Sequence, residues 1–395
     1  MVSPVIDPES QSQLLEGVAP NDKSIVSVVF GLAFKVADDG GCDVDTSPSG
    51  AFRLSAEYVV AKARVPTKHT RPSILVRDID LYAWRNFTDI VVRGRVQSAS
   101  PVPRLEAKLE LRGSKVNVDR TLVILGDRFV DRTDSGLVFT EPEPFMDMAL
   151  TYENAYGGTD EAAEEKLMDR DLLDFFTKSF DKEENEELSL YSYPRNPAGK
   201  GYLVDEDGAV GTPLPNVEFA DDRLRLSNLI RPLERWGEQP QVACMDWVHP
   251  AWFPRCAFLG DFPPTHDDRL PEAERALGLF EPNFEQKSVF DRPKHPFANG
   301  GPGFLSRYRL NGDETLSLGH ATPKGEVSRV KLPALAPKVS LRVASEGRVK
   351  LPAALDRVEF DATERTLTLL WRATHFPTEQ LPVDWAERSE YEISF

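Results

Sequence analysis

Across residues 105–112 apolar and charged side chains alternate without a break. Leu105, Ala107, Leu109 and Leu111 take one side, and Glu106, Lys108, Glu110 and Arg112 the other. Successive side chains of an extended chain point to opposite faces, so this period of two predicts a strand with one face on a core and one in water. The most apolar run, residues 25–34, opens a series of strand-like segments and is too short to span a bilayer as a helix. Residues 88–96 and 121–125 follow, rich in β-branched residues. A second series lies at 327–332, 339–343, 358–360 and 366–371, the last two joined by a predicted hairpin at 361–365. Short strands separated by turn signals predict a mainly β fold, with sandwich- or barrel-like sheets and long ordered loops.

The period changes at 160–180. Ala163, Leu167, Met168, Leu172, Phe175, Phe176 and Phe180 recur at helical spacing and form one apolar stripe, and Asp160 and Glu161 suit the positive end of a helix. This predicts an α-helical insertion near 160–182, running into an acidic loop at 181–188. Residues 160–187 carry twelve acids and four bases, so the segment is either a helix packed on its own core or an acidic arm for a partner. Residues 190–265 are rich in Pro, Asn and aromatic residues with little periodicity, which predicts ordered loops wrapped over the sheets; a short helix is expected at 267–280. The domain reading is a polar tail at 1–20, a main β-rich domain at 21–300 with the insertion at 159–190, and a C-terminal β-rich part at 301–395 packed upon it.

With 64 acidic and 47 basic residues the net charge is −17. Such a surface repels phosphate backbones and anionic membranes and favours basic protein partners. No nucleic-acid or membrane partner is therefore expected. Three cysteines, Cys42, Cys244 and Cys256, are no disulfide framework, and the N-terminus has neither the basic start nor the apolar core of a signal peptide; a cytoplasmic location is the expectation.

Candidate chemistry is sparse. Cys244, His249 and Cys256 lie close in sequence, but their spacing is wider than a zinc knuckle's, and small buried apolar roles suit both thiols better. Asp78 and Asp80 form a D-x-D pattern of the kind that holds a metal–sugar pair, one that also arises often by chance. No phosphate-binding loop, dinucleotide fingerprint or nucleophile elbow is present. Glu153 and Glu218 sit in distinctive loops, and Trp236, Trp247 and Trp252 are residues that stack on sugars; these support an alternative reading as a carbohydrate-active enzyme or carbohydrate-binding protein. No catalytic residue, metal or cofactor is assigned.

The conspicuous residues are turn-forming strings at 126–128, 150–158, 196–202 and 214–218. Gly157 and Gly158 permit positive φ or close backbone approach. Asn196 and Asn216 suit turns, and Tyr152, Tyr156 and Tyr202 pair an apolar ring with a polar tip. With Glu153, Asn154 and Glu218 these ten residues are the candidate partner contacts. They either form a recognition groove or brace one another inside the fold. A groove predicts that Tyr156→Ala spares the fold and lowers partner recovery.

Taken in order, these strings resemble the family labelled domain of unknown function 2169. The elements are the strand-like start and Asp-Gly turn at 28–40, the Thr-Asp-x-Val-Val-x-Gly element at 88–94, the Gly-Asp-Arg at 126–128, and the Pro-Phe…Tyr-Glu-x-Ala-Tyr-Gly-Gly at 144–158. Asn-Pro-x-Gly-x-Gly-Tyr at 196–202, Leu-Pro-Asn-x-Glu at 214–218 and a looser match at 247–262 complete it. The resemblance covers roughly residues 24–340, and its departures include the 160–187 segment, where a shorter connection is expected, and the loose region after Trp247. It implies a type VI secretion adaptor or chaperone that binds a toxic effector and helps load it on the VgrG–PAAR spike, with no catalytic residues. The acidic surface suits a basic effector such as a nuclease. A structural component of a phage-like particle is a third reading, which predicts self-assembly.

Overall fold

A computed structural model describes residues 12–18, 24–45, 51–61, 72–81, 85, 88–167, 191–230, 239–252, 255, 309–343, 346–378, 381, 385–386 and 389–395. The apolar run at residue 25 becomes β2 (Ser24–Val36), thirteen residues of which only Lys35 is exposed. A strand buried on both faces must lie inside a sheet covered on both sides. β2 is second in the order β1 (Ser12–Val18), β2, β21 (Thr366–His375), β20 (Ala354–Asp361), β6 (Asp89–Arg93), with β3 (Cys42–Val44) also pairing to β2. All these pairs are antiparallel except β20 with β6.

A second sheet runs β15 (Val217–Phe219), β9 (Asn117–Leu125), β8 (Arg104–Arg112), β16 (Thr315–Leu318), β17 (Ser328–Lys331), and a third runs β19 (Gly347–Pro352), β18 (Lys338–Val343), β22 (Glu390–Ser394). One hydrophobic core joins the three. Val28, Phe30 and Phe34 of β2, Leu109 and Leu111 of β8, and Val339 and Leu341 of β18 all belong to it. Each such side chain contributes about 1.5–3 kcal/mol by leaving water. Four two-stranded pieces complete the structure: β4 (Glu57–Val60) with β5 (Ser73–Arg77), β7 (Arg95–Val102) with β12 (Phe145–Ala149), β10 (Val130–Thr133) with β11 (Gly136–Phe139), and the parallel pair β13 (Tyr156–Gly157) and β14 (Lys200–Gly201).

The mainly β expectation holds, and residues 105–112 keep the predicted alternation, with Ala107, Leu109 and Leu111 buried. Three details differ. Residues 12–18 are not tail but an edge strand, held by Trp385 Nε1 donating to Glu16 and by Ser12 with the Tyr391 hydroxyl. No boundary at residue 300 divides the sheets, because β20 and β21 complete the sheet that β1, β2 and β6 begin and β16 pairs with β8. Of the helical insertion, a seven-residue helix, α1 (Glu161–Leu167), is present, capped by Asp160, whose Oδ1 accepts from Ala163 N at 3.0 Å. The rest of the apolar stripe, the acidic stretch 181–188 and the predicted helix at 267–280 lie outside the described residues.

Candidate functional site

The turn-forming strings fold onto one another and make a second core, distinct from the one between the sheets. Tyr152, Tyr156, Tyr193, Tyr202 and Trp252 belong to it. Tyr156 meets Tyr193 edge-on with centroids 5.1 Å apart, Tyr193 lies 5.3 Å from Tyr202, and Tyr152 meets Trp252 edge-on at 5.0 Å. Such pairs add about 0.5–1.5 kcal/mol beyond area burial. Tyr152 also donates its hydroxyl to Asp246 O at 3.0 Å.

The backbone around these rings is closed by Asn196, which is fully buried. Its Nδ2 donates to Tyr152 O at 2.8 Å and to Tyr156 O at 3.0 Å. The parallel pairing of β13 with β14 sets Tyr156 beside Lys200 and Gly157 beside Gly201. Gly157 holds φ +150°, and a Cβ there would stand 2.1 Å from Asn196 O, so only glycine admits this approach. The Leu-Pro-Asn-x-Glu string is seated likewise. Asn216 donates from Nδ2 to Leu125 O and to Asp127 at 3.0 and 3.1 Å, and from its backbone to Asn154 O at 2.9 Å. Glu218 accepts from Arg128 at 2.9 Å, Arg223 at 3.2 Å and Leu224 N at 2.8 Å.

Of the ten candidate contacts, only Glu153 and Asn154 are partly exposed; Tyr152, Tyr156, Gly157, Gly158, Asn196, Tyr202, Asn216 and Glu218 are buried. Asn154 uses its side chain on Ala149 O. The buried side chains therefore brace the loops on one another. The sugar-stacking arrangement also changes: Glu218 is neutralised, Trp247 and Trp252 are buried, and Trp236 lies outside the described residues. Cys244 is a buried thiol pushed up by its burial, and Cys256 lies outside the described residues. Among the described residues no three His, Cys, Asp or Glu side chains group to hold a metal ion.

A second feature was illegible in the sequence. The far face of the β2–β21–β20–β6 sheet is covered by a buried layer of arginines and carboxylates. Gly31 opens room for it, since a Cβ there would lie 2.5 Å from Ala51 O. In β20 the register slips between Leu355 and Arg357. A bulge of this kind lets two successive residues face one side. Leu355 and Val358 enter the core while Asp356 and Arg357 turn to the layer. Arg357 pairs with Asp80 and donates to Ala51 O, and Arg53 meets Glu359 at 3.0 Å. Arg93 bridges Asp246 at 2.7 Å and Glu359 at 3.4 Å. Arg53 and Arg357 lie 5.8 and 5.3 Å from the ring centroid of the fully buried Trp247. Asp78 and Asp80, the D-x-D pair, are thereby explained: Arg255 takes the first and Arg357 the second.

Burial opposes ionisation of Glu359, yet Arg53, Arg357 and Arg93 together hold its carboxyl below the ordinary range. At Asp246 the balance reverses, and burial pushes the carboxyl up to about 6 against the pull of Arg93. A carboxyl raised in the folded state binds its proton there before the unfolded chain does. Its contribution is thus full below the unfolded value of 3.8 and lost as pH rises through about 6. In urea denaturation, wild type minus Asp246→Asn is expected to fall by on the order of 2–3 kcal/mol from about pH 4 to pH 7. A difference that stays constant with pH would contradict this.

The family model described as "Uncharacterized protein conserved in bacteria (DUF2169)" matches residues 22–372. That span includes both the tyrosine brace and the arginine layer. No curated protein and no solved structure matches the chain.

Proposed function

This chain belongs to the DUF2169 family, and from that membership we propose that it is a type VI secretion adaptor, binding a toxic effector and helping to load it on the VgrG–PAAR spike. The observation that supports protein binding is an outward apolar strip on and beside the β4–β5 hairpin. Leu54, Tyr58, Val59, Val60 and Leu81 are 63, 46, 47, 66 and 38% exposed. Apolar side chains gathered on a surface mark contact sites, because a partner that covers them removes them from water. Every β4 residue is exposed, while Leu75 of β5 is buried against Val91 and Trp247. The net charge of −17 favours a basic effector. No helix among the described residues is long and apolar enough to cross a membrane.

The test is capture from lysate of a type VI-positive bacterium on tagged protein, with mass spectrometry, beside Val59→Glu/Val60→Glu. Wild type is expected to recover a toxin together with VgrG or PAAR proteins, less at high salt, where exposed charges are screened. The variant is expected to lose them while its thermal transition stays within about 0.5 kcal/mol of wild type, as for surface changes generally. Recovery of the bait alone by wild type would reject the adaptor reading; equal recovery by both would reject the hairpin.

A further inference from the structure

Glu314 is fully buried, and among the described residues no Lys, Arg or His pairs with it. A carboxylate so placed is ordinarily paired. Here its two oxygens instead face two successive backbone N–H groups: Oε1 accepts from Asn311 N and Oε2 from Gly312 N, each at 2.8 Å. The stem is fixed, because a Cβ on Gly113 would collide with Glu314 Cγ. The chain around it is fixed as well, with Leu332 N donating to Glu314 O at 2.8 Å and Ala334 N to Gly312 O at 2.7 Å. Asn311 itself is exposed. Lys115 Nζ donates to its Oδ1 at 3.4 Å, and its Nδ2 donates to Ser114 Oγ at 3.3 Å.

We propose that Asn311 is a self-modifying site, at which Glu314 and Lys115 promote deamidation of the side chain with water as the co-reactant. Attack of Gly312 N on Asn311 Cγ closes a succinimide ring, and a glycine carries no Cβ to crowd the attacking nitrogen. Glu314 stands within hydrogen-bond reach of that N–H, where a general base acts on a nucleophile. It takes the proton as the N–Cγ bond forms. Negative charge gathers on Oδ1, where the Lys115 cation stabilises it as it develops. The Cγ–Nδ2 bond then breaks, Glu314 returns its proton through solvent, and Nδ2 leaves as ammonia. Water opens the ring at either carbonyl carbon to give aspartate or isoaspartate, and nothing is oxidised or reduced. Each chain reacts once, and the product sets a further negative charge beside Glu314. This chemistry is independent of the hairpin surface and of the adaptor reading.

The test is peptide mapping by mass spectrometry of the full chain incubated at neutral pH, which reads the gain in mass as an amide becomes an acid. The same chain unfolded in urea gives the rate of the unaided Asn-Gly pair. Asn311 is expected to deamidate at least about tenfold faster in the folded chain, a modest share of what a positioned base supplies. Lys115→Met, at an exposed position, should slow the folded chain roughly twofold to fivefold, the scale of an exposed charge contact. Glu314→Gln should bring it to the unfolded rate or below. A wild-type rate in the folded chain at or below the unfolded rate would overturn the proposal, since the carboxylate would then be protecting the pair. So would a fast rate that a folded Glu314→Gln leaves unchanged. Lys115→Met decides if Glu314→Gln fails to fold, and a fast rate that it leaves unchanged overturns the proposal equally.

Discussion

Arg357→Met is expected to remove about 3–5 kcal/mol of stability, the usual effect of deleting one partner of a buried ion pair. The guanidinium carries more than one interaction. It neutralises Asp80, helps neutralise Glu359, donates to Ala51 O and lies against the Trp247 ring. Methionine fills much of the volume but leaves Asp80 buried with its principal cation gone. The loss therefore comes from the stranded carboxylate rather than from packing. Arg357→Met/Asp80→Asn should recover part of it, because the double change removes the unpaired charge as well. Urea denaturation of the four proteins in that cycle gives the coupling directly. A single-variant loss below about 1 kcal/mol would show that Asp80 finds water or another cation, and that the layer is looser than its geometry.

The second large effect is at Tyr156. The ring is 1% exposed and packed on Tyr193, so Tyr156→Ala is expected to cost about 3–5 kcal/mol by lost transfer energy and the cavity left behind. This reverses the outcome expected if the motif formed an open groove. Tyr156→Phe, which keeps the ring, serves as the control and is expected to stay close to wild type in its thermal transition. If Tyr156→Ala melts like wild type and partner recovery falls, then the tyrosine contacts a partner and the brace described above opens on binding.

How much of this could be read in advance depends on where each residue's partner lies. The alternation at 105–112 reports its own burial, because strand geometry alone assigns the faces. The unbroken apolar run of β2 likewise announces two covered faces. β1, Ser-Gln-Leu-Leu-Glu-Gly-Val, does not, because an edge strand needs few apolar residues. The motif residues could be found but not placed: Gly157 advertises an unusual backbone, yet nothing local says that Asn196 closes over it. The arginine layer was hidden by its own chemistry. Arg357, Glu359 and Arg372 alternate with core residues in β20 and β21 and read as a solvated face. Their neutralising carboxylates include Asp80, carried by a remote loop, and a bulge at Asp356 that no pattern signals. Asp78 and Asp80 drew attention as a metal pattern, when their real partners are cations from distant segments.

The sheet that holds this layer also sets the order in which the chain can fold. β2 hydrogen-bonds to β21 along ten residue pairs, Val26 opposite His375 among them. Translation at roughly 5–20 residues per second separates the two strands by tens of seconds. For that interval β2, the most apolar strand of the protein, has no β21 to pair with and leaves an edge free for other chains. Long-range pairing of this kind slows folding and exposes nascent chains to aggregation. The hydrophobic strand that anchors the finished fold is thus its chief hazard during synthesis, even though the β15–β9–β8–β16–β17 sheet is complete in sequence before residue 366 is made.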